Sequence, residues 1–300
     1  MDIDEEGSDM KKHRRGPSGR RLPAIMVLTA ATLLLTTGAS GSTAVSAPPA
    51  EAAELVLYKA VPAPEMVRAR AAEKMKAVPE AAEEPELPPC PLPETERVED
   101  TYFDSAVFLG DSRTEGLFLY SGLKTGHFYT SVGATVESVF SKKSFETEGG
   151  KKVPLLDAAA ARDCDKVYIM LGINELGWSK TKTYHDQYAK LIDRVREDHP
   201  EAKIVLQSIP PVGAKQEAKK TYVNNERIAV YNGIIKELAV EKECYFLDVA
   251  ACLTGGDGLL PKEWNFDGIH LNPKGCKVWL EYLRTHSLEE EAIAAALEKS

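Results

Sequence analysis

From about Tyr102 onward, short apolar runs alternate with longer amphipathic stretches, and this alternation limits the folds open to the chain. The apolar runs predict strands at Ala106–Leu109, Tyr129–Val132, Lys166–Leu171, Lys203–Ile209 and Tyr245–Val249. The amphipathic stretches predict helices near Thr114–Tyr120, Tyr184–Asp198 and Tyr222–Glu241, and from Pro273 onward. Continuous apolar strands separated by helices are typical of a parallel sheet that helices cover on both faces. The predicted fold is therefore α/β, a three-layer α/β/α sandwich around a parallel sheet.

The first 100 residues differ in composition from the rest of the chain. Residues 1–21 are polar and hold six Lys and Arg residues, whereas residues 22–47 contain no charged residue. Residues 48–100 hold ten of the 18 prolines, which disfavours long helices and favours extended geometry. This pattern predicts a cytoplasmic basic tail at 1–21 and a signal-anchor or transmembrane helix at 22–47. It also predicts a disordered Pro/Ala/Glu-rich stalk at 48–100, followed by a folded domain at 101–300.

Basic residues directly before the uncharged segment are the positive-inside arrangement of a chain that enters a membrane from the cytoplasm. The strongly apolar core has the length of a signal peptide. The whole segment 22–47 is longer than the roughly 20 residues needed to span a membrane. Cleavage after Ala47 is the alternative, but Pro48 would follow that cut. We expect an uncleaved anchor in the cell membrane, with the folded domain outside the cytoplasm; secretion after cleavage is the second possibility.

The charge and the cysteines argue against several classes of function. A net charge of -9 disfavours nucleic-acid binding, because no stripe of Lys and Arg is available to neutralise phosphates. The five cysteines lack the CxxC spacing of zinc or thioredoxin-like sites. Cys244 and Cys252 could pair in an exported domain, but small, mostly buried thiols are the favoured interpretation.

Polar and small residues follow the predicted strands at the points where those strands end. Ser112 follows the first strand, Gly133 the second and Asn174 the third, while Asp267 and His270 lie in the loop after the last strand. Ligands of open parallel sheets bind outside the carboxyl ends of the strands. These residues are therefore expected to lie together at one edge of the sheet.

The residue types in this group are those that acyl transfer requires. Asp267 and His270 are three residues apart, so one turn can present both side chains to the same space. His270 would accept the proton of Ser112, and Asp267 would hold the imidazole ring. Asn174 and the Gly133 N–H could donate to an oxyanion. Three of these residues also have a structural alternative: a helix cap for Ser112, a backbone contact for His270 and a turn for Gly133.

The resemblance to a known family rests on four segments. They are Phe108-Leu109-Gly110-Asp111-Ser112, Gly133, Gly172-Ile173-Asn174 and Asp267-Gly268-Ile269-His270-Leu271. In this order they resemble the four blocks of the SGNH hydrolases, also called the GDSL esterase/lipase family, here of a membrane-anchored bacterial type. The resemblance implies Ser112 as nucleophile, His270 as base, Asp267 as its partner, and Gly133 and Asn174 as oxyanion donors. It also implies a flavodoxin-like sheet.

Two residues depart from the family pattern. Arg113 stands where the family name has Leu, and it could contact an anionic or polar substrate or simply begin a helix. Glu175 stands where Asp is frequent, in the segment that follows Asn174. Neither change affects the residues assigned to the chemistry.

The sequence therefore predicts a membrane-tethered, extracytoplasmic serine esterase. Its expected substrate is an acylated cell-surface glycan or a small ester, from which it removes O-acetyl or other short acyl groups. No metal and no organic cofactor are expected. Two alternatives stay open: an acyltransferase that uses the same triad, and a non-catalytic wall-binding module with the same fold.

Overall fold

A computed structural model describes residues 87–147 and 149–299. The predicted basic tail, the predicted anchor and most of the predicted stalk lie outside the described residues. Within the part of the chain that is described, none of the helices combines the length and the apolar character needed to cross a membrane.

The sheet contains the five predicted strands in a parallel arrangement, although the second lies at His127–Thr130 and not at the predicted Tyr129–Val132. The strands of the described residues are β1 (Ala106–Gly110), β2 (His127–Thr130), β3 (Phe145–Glu146), β4 (Lys152–Val153), β5 (Lys166–Met170), β6 (Lys203–Gln207) and β7 (Tyr245–Leu247). The order in the main sheet is β2-β1-β5-β6-β7, and each pair of neighbours is parallel. This is the flavodoxin-like order, in which the strand order reverses beside the first strand. β3 and β4 form a separate antiparallel pair.

Helices cover both faces of the main sheet. The helices of the described residues are α1 (Ser112–Tyr120), α2 (Leu155–Ala160), α3 (Thr181–Asp198), α4 (Ala214–Glu217), α5 (Asn225–Glu241), α6 (Val249–Leu253), α7 (Pro273–Arg284) and α8 (Glu290–Leu297). Val107 and Leu109 of β1 pack in one core with residues of α3 and α5. Ala106 and Phe108 pack in the other core with residues of α1 and α7. The predicted three-layer α/β/α sandwich is therefore confirmed.

Local sequence explains where two of the helices lie. The buried residues of α3 are Tyr184, Tyr188, Leu191, Ile192 and Val195, a spacing that places them on one helical face. α7 begins after Asn272, whose side chain accepts hydrogen bonds from the Lys274 and Gly275 N–H groups. Pro273 occupies the first turn, where its missing N–H is not needed.

The folded domain extends further toward the N-terminus than the predicted boundary at residue 101. Leu92 is buried, and its N–H donates to the Phe246 carbonyl at 2.8 Å. The Thr95 and Val98 N–H groups donate to carbonyls at the end of α7, at 2.7 and 2.8 Å. The prolines of this segment suggested a stalk, but an extended chain can also lie along a folded surface. The last residues of the predicted stalk, from Leu92 onward, therefore belong to the domain.

The possible pairing of Cys244 with Cys252 does not occur. All five cysteines lie in the described part of the chain and are free thiols. Cys244 and Cys276 are buried, as the favoured interpretation expected. Burial raises the pKa of both thiols, to about 11 for Cys244 and about 12 for Cys276, which keeps them protonated at neutral pH.

Candidate active site

Ser112 lies at the carboxyl end of β1, where the chain turns directly into α1. Gly110 makes this turn possible, because a Cβ there would lie 2.1 Å from the Thr114 hydroxyl. Asp111 caps the helix: its carboxylate accepts a hydrogen bond from the Arg113 N–H at 2.8 Å. The capping role considered for Ser112 thus belongs to its neighbour. The half-buried Ser112 side chain is left for other contacts.

The His270 ring connects Ser112 to Asp267. The Ser112 Oγ and His270 Nε2 are 3.1 Å apart, and His270 Nδ1 is 2.8 Å from Asp267 Oδ2. These distances are within hydrogen-bond range. The structure therefore places Ser112 in line with Asp267 and His270, although Ser112 and His270 are 158 residues apart in the sequence.

Asp267 also shapes the turn that carries His270. Its Oδ1 accepts hydrogen bonds from the N–H groups of Ile269 at 2.9 Å and His270 at 2.8 Å. Partial burial would raise the pKa of this carboxyl, but the hydrogen bonds donated by the His270 backbone and ring and by the Ile269 backbone outweigh it. They lower the pKa of Asp267 to about 2, so the group is a carboxylate at neutral pH.

Asn174 and Glu175 hold the loop that contains Gly133. Gly133 follows β2 with φ +74°, and no atom lies within 4 Å of the place where a side chain would stand. The Asn174 Nδ2 donates to the Ala134 carbonyl at 2.9 Å, and Glu175 Oε1 accepts from the Val136 N–H at 2.7 Å. Gly133 and Asn174 are both exposed. The two bonds fix the loop that contains Gly133 against the segment after β5 that contains Asn174.

Of the two roles considered for Arg113, contact with the substrate is wrong, whereas a place at the beginning of a helix is confirmed, since Arg113 lies in the first turn of α1. The side chain is buried in the protein, and its Nη1 donates to the Pro210 carbonyl at 2.6 Å. Burial lowers the pKa of this guanidinium to about 10, while the charges of Asp111 and Asp267 act in the opposite direction. With a pKa of about 10, the guanidinium stays charged at neutral pH. Arg113 is thus a buried cation in the first turn of α1.

Glu175 is a site residue whose importance the sequence indicated only by its position after Asn174. It is buried, and burial raises its pKa to about 8, with the charge of Asp111 contributing in the same direction. Burial also raises the pKa of Asp111, to about 6. A mostly neutral Glu175 at pH 7 can accept from Val136 without placing a second full charge beside Asp111.

The cavity over Ser112 and His270 has a volume of about 250 Å³. Its other lining residues come from α1, from the loop after β2 and from the loop before α7: Glu115, Gly116, Leu119, Tyr120, Val132, Phe266 and Leu271. Among residues 87–147 and 149–299, no group of three or more His, Cys, Asp and Glu side chains could hold a metal ion. The chemistry available at this place is that of a hydroxyl, an imidazole and a carboxylate.

The match to a family model decides which family this arrangement represents. The model of the GDSL-like lipase/acylhydrolase family matches residues 108–278, which is more than half of the 300 residues. The chain belongs to the GDSL-like lipase/acylhydrolase family. The matched range contains Ser112, Gly133, Asn174, Asp267 and His270. The members of this family, the SGNH hydrolases, are generally esterases or lipases.

Several solved structures are similar to this acylhydrolase. A GDSL-like lipase from Bacteroides thetaiotaomicron VPI-5482 shares 17% identity at a TM-score of 0.46, over 68% of this chain and 91% of that chain. Phospholipase A1 from Streptomyces albidoflavus NA297 shares 19% identity at a TM-score of 0.43, over 61% and 98%. Est24, a carbohydrate acetylesterase from Sinorhizobium meliloti, shares 17% identity at a TM-score of 0.42, over 63% and 98%. No curated protein sequence matches the chain.

The raised pKa of Glu175 predicts how the stability of this acylhydrolase depends on pH. The ordinary pKa of the group is 4.5 and the folded value about 8. Between these values the folded state binds more protons than the unfolded state. The contribution of Glu175 to the free energy of unfolding is therefore fully present below pH 4.5 and is lost as the pH rises toward 8. Asp111 adds a smaller change of the same sign. From pH 5 to pH 8 we expect a loss of about 2–4 kcal/mol in the free energy of unfolding from Glu175 alone.

The variant Glu175→Gln tests this prediction, because a glutamine can still accept from the Val136 N–H and does not titrate. Urea unfolding at pH 5 and pH 8 should show a smaller loss for the variant than for the wild type. At pH 8 the variant should be the more stable of the two. Equal losses in both proteins would contradict the assignment of the charge penalty to Glu175.

Proposed function

We propose that this SGNH acylhydrolase is a serine esterase in which Ser112 is the nucleophile, His270 the general base and Asp267 its partner. The observation that carries the proposal is the continuous hydrogen-bonded line from Ser112 Oγ through His270 to Asp267, with distances of 3.1 and 2.8 Å. A hydroxyl is a poor nucleophile until a neighbouring base removes its proton. This line supplies that base at the required distance.

In the first half of the reaction, Ser112 Oγ attacks the ester carbonyl carbon while His270 Nε2 takes the hydroxyl proton. The carbonyl oxygen becomes an oxyanion, and the Asp267 carboxylate stabilises the imidazolium that forms. When the tetrahedral intermediate collapses, the bond to the alkoxy oxygen breaks. His270 gives its proton to that oxygen, so that a neutral alcohol leaves and an acyl group stays on Ser112.

In the second half, a water molecule takes the place of the alcohol. His270 removes a proton from the water as its oxygen attacks the acyl carbon, and then returns the proton to Ser112 Oγ as that bond breaks. The products are a carboxylic acid and the free enzyme. If a sugar hydroxyl attacks in place of water, the same steps transfer the acyl group.

The oxyanion donors in this proposal are the Gly133 N–H and the Asn174 amide. The Asn174 Nδ2 carries two hydrogens, and one is donated to the Ala134 carbonyl at 2.9 Å. The second is available to the substrate. The bond to Ala134 also holds the amide in place before the substrate arrives, which is the preorganisation that gives such donors their effect.

For Asn174→Ala we expect kcat to fall about 10²–10³-fold, because one oxyanion donor is removed. The KM should change much less, since the donor acts chiefly on the charge that develops in the transition state. Steady-state hydrolysis of p-nitrophenyl acetate measures both parameters, and thermal unfolding checks that the loop stays folded. An unchanged kcat in a folded variant would remove Asn174 from the proposal.

The proposed substrates are short acyl esters, in particular O-acetyl groups of cell-surface glycans, and the proposed place of action is outside the cytoplasm at the membrane. The basic residues before segment 22–47 and the Pro-rich residues after it support the location. The cavity of about 250 Å³ supports a small reacting group, because ligand pockets for drug-sized molecules are usually about 300–1,000 Å³.

Incubation of the full-length chain with an O-acetylated polysaccharide tests the proposed substrate. We expect release of acetate that is abolished by a fluorophosphonate bound to Ser112. Movement of the acetyl group to a second glycan without release of acetate would establish the acyltransferase alternative. Failure both to react with the fluorophosphonate and to release acetate would favour the non-catalytic binding module. Protease accessibility in intact cells tests the location.

A further inference from the structure

A second cavity lies outside the cavity over Ser112 and shares no residue with it. Its walls are the segment that follows Asn174, the first turn of α3 and the first two turns of α5. We call it the Trp178 cavity, after the aromatic residue in its wall. Its volume of about 680 Å³ is in the range of about 300–1,000 Å³ that is usual for ligand pockets.

The Trp178 cavity is joined by hydrogen bonds to the segment that carries Asn174. The Glu175 carbonyl accepts from the Trp178 N–H at 2.8 Å and from the Tyr231 hydroxyl at 2.7 Å. The Trp178 carbonyl accepts from Arg227 Nη2 at 3.0 Å. Trp178 follows Asn174 by four residues, so their Cα atoms are at most about 14 Å apart. A long substrate that reacts beside Asn174 can therefore place another part of its length in this cavity.

The charges that line the Trp178 cavity are opposite in sign to the net charge of the chain. Three of its four charged residues are cations, Lys180, Lys182 and Arg227, and Glu226 is the one carboxylate. The whole chain has 46 acidic and 37 basic residues. Lys182 is paired with Asp186 at 2.7 Å. Lys180 and Arg227 form no ion pair with any residue that the structure describes, so both cations are available to an anionic group of a ligand.

The uncharged residues of the cavity indicate that this anionic group belongs to a sugar. Trp178 is half-buried and packs in part against the core, and Ser179 and Thr181 add exposed hydroxyls. A pyranose ring has an apolar C–H face and hydroxyl groups at its rim, which match an aromatic wall flanked by polar groups. An inorganic anion would use the cations but not the aromatic wall, and an apolar ligand would use the wall but not the cations.

We propose that the Trp178 cavity binds a sugar unit that carries a carboxylate, a uronic acid residue of the glycan whose ester reacts at Ser112. The inference rests on the proposed function for the substrate being a glycan, and it adds that this glycan is acidic. The sugar ring packs on Trp178, and its carboxylate binds Lys180 and Arg227. A glycan held at this cavity and at Ser112 is fixed at two points, so the cavity selects which ester of the chain reacts.

Ligand-observed NMR with the full-length chain tests the proposed site. The probe is trigalacturonate, three α-linked uronic acid units without an ester, and maltotriose, three α-linked glucose units, is the uncharged comparison. We expect trigalacturonate to bind at least about tenfold more tightly at low salt, because hydrogen bonds to charged groups are the stronger ones. The preference should shrink as salt screens the charges. Inorganic phosphate with an affinity equal to that of trigalacturonate would show a plain anion site and overturn the inference.

The variant Lys180→Glu should remove the preference for trigalacturonate and leave the affinity for maltotriose unchanged. A carboxylate just before the first turn of α3 is compatible with the helix dipole, so the variant should fold. Lys190→Glu is the matched control, because Lys190 is exposed on the same helix, undergoes the same charge change and does not line the cavity. It should keep the preference. A preference that survives Lys180→Glu, or that both variants reduce equally, would overturn the inference.

Trp178→Leu tests the aromatic wall separately from the charges. Leucine keeps an apolar contact with the core but has no ring for a sugar to pack on, so both trisaccharides should bind more weakly. Thermal unfolding of the variant shows whether the segment after Asn174 stays folded. Unchanged affinities in a folded Trp178→Leu protein would contradict binding of the sugar at Trp178.

The binding measurement uses no ester, so the two proposals fail separately. If the chain hydrolyses no ester but prefers trigalacturonate through Lys180, the proposed function is wrong and the sugar site stands. If the chain hydrolyses p-nitrophenyl acetate but binds trigalacturonate and maltotriose equally, the esterase stands and the sugar site is wrong.

Discussion

Replacing Ser112 by alanine is expected to lower kcat/KM for p-nitrophenyl acetate by about 10⁴-fold or more. In the proposed mechanism the substitution removes the atom that would form the acyl-enzyme and leaves His270 without a hydroxyl to activate. A residual rate above that of water should remain, because the proposed donors Gly133 and Asn174 would still polarise a bound ester. Steady-state hydrolysis by the full-length wild type and variant, with active-site titration of the wild type, measures the ratio.

Ser141→Ala is the matched control for this substitution. Ser141 is exposed and lies after β2, outside the cavity over Ser112. Its loss should leave kcat/KM close to that of the wild type. Activity in Ser112→Ala close to that of the wild type would remove the nucleophile from the account, whatever the control shows.

The second large effect is expected for Asp267→Asn, with kcat about 10⁴-fold lower. The asparagine oxygen can still accept from the N–H groups of Ile269 and His270, so the turn should be kept. Its NH₂ group, however, faces His270 Nδ1 as a donor. The ring then carries its proton on Nε2, where it cannot accept the proton of Ser112. The loss should appear in kcat rather than in KM.

Asp163→Asn is the control for the charge change, because Asp163 is exposed and distant from this loop in sequence. It removes one negative charge from the chain and should leave kcat unchanged.

The carboxylate of Asp267 is also expected to resist acid. With a pKa of about 2, its support for the folded turn is present above its ordinary pKa of 3.8 and is lost as the pH falls toward 2. A kcat of Asp267→Asn equal to that of the wild type would contradict the proposed role of Asp267 in the triad.

Most of the main sheet could be predicted from sequence because its central strands are buried on both faces. A strand such as β1, with every residue buried, leaves a continuous apolar run that is easy to recognise. Ser112, Gly133 and Asn174 could be placed at one edge of the sheet because each follows a strand end, whereas Asp267 and His270 lie well after β7 and were indicated by their motif. The boundary near Leu92 could not be predicted, since a Pro-rich extended segment has the same composition on a surface as in a stalk.

Arg113 shows a second limit of prediction from sequence. A cation next to Ser112 in the sequence suggested a contact with the substrate. Consecutive residues of a helix point about 100° apart, however, so the neighbour of an outward-facing side chain can face the core. The Arg113 side chain does so and donates to the Pro210 carbonyl, 97 residues away. Contacts of this kind depend on the tertiary fold, as does the burial of Glu175.

Detection of the acyl-enzyme tests the central claim most directly. The full-length chain is mixed with p-nitrophenyl acetate, quenched in acid within milliseconds and digested for mass spectrometry. We predict an acetyl group on the peptide that contains Ser112, formed together with a burst of nitrophenol and absent from Ser112→Ala. Continued hydrolysis with no acetylated Ser112, or with the acetyl group on another residue, would contradict the proposed mechanism.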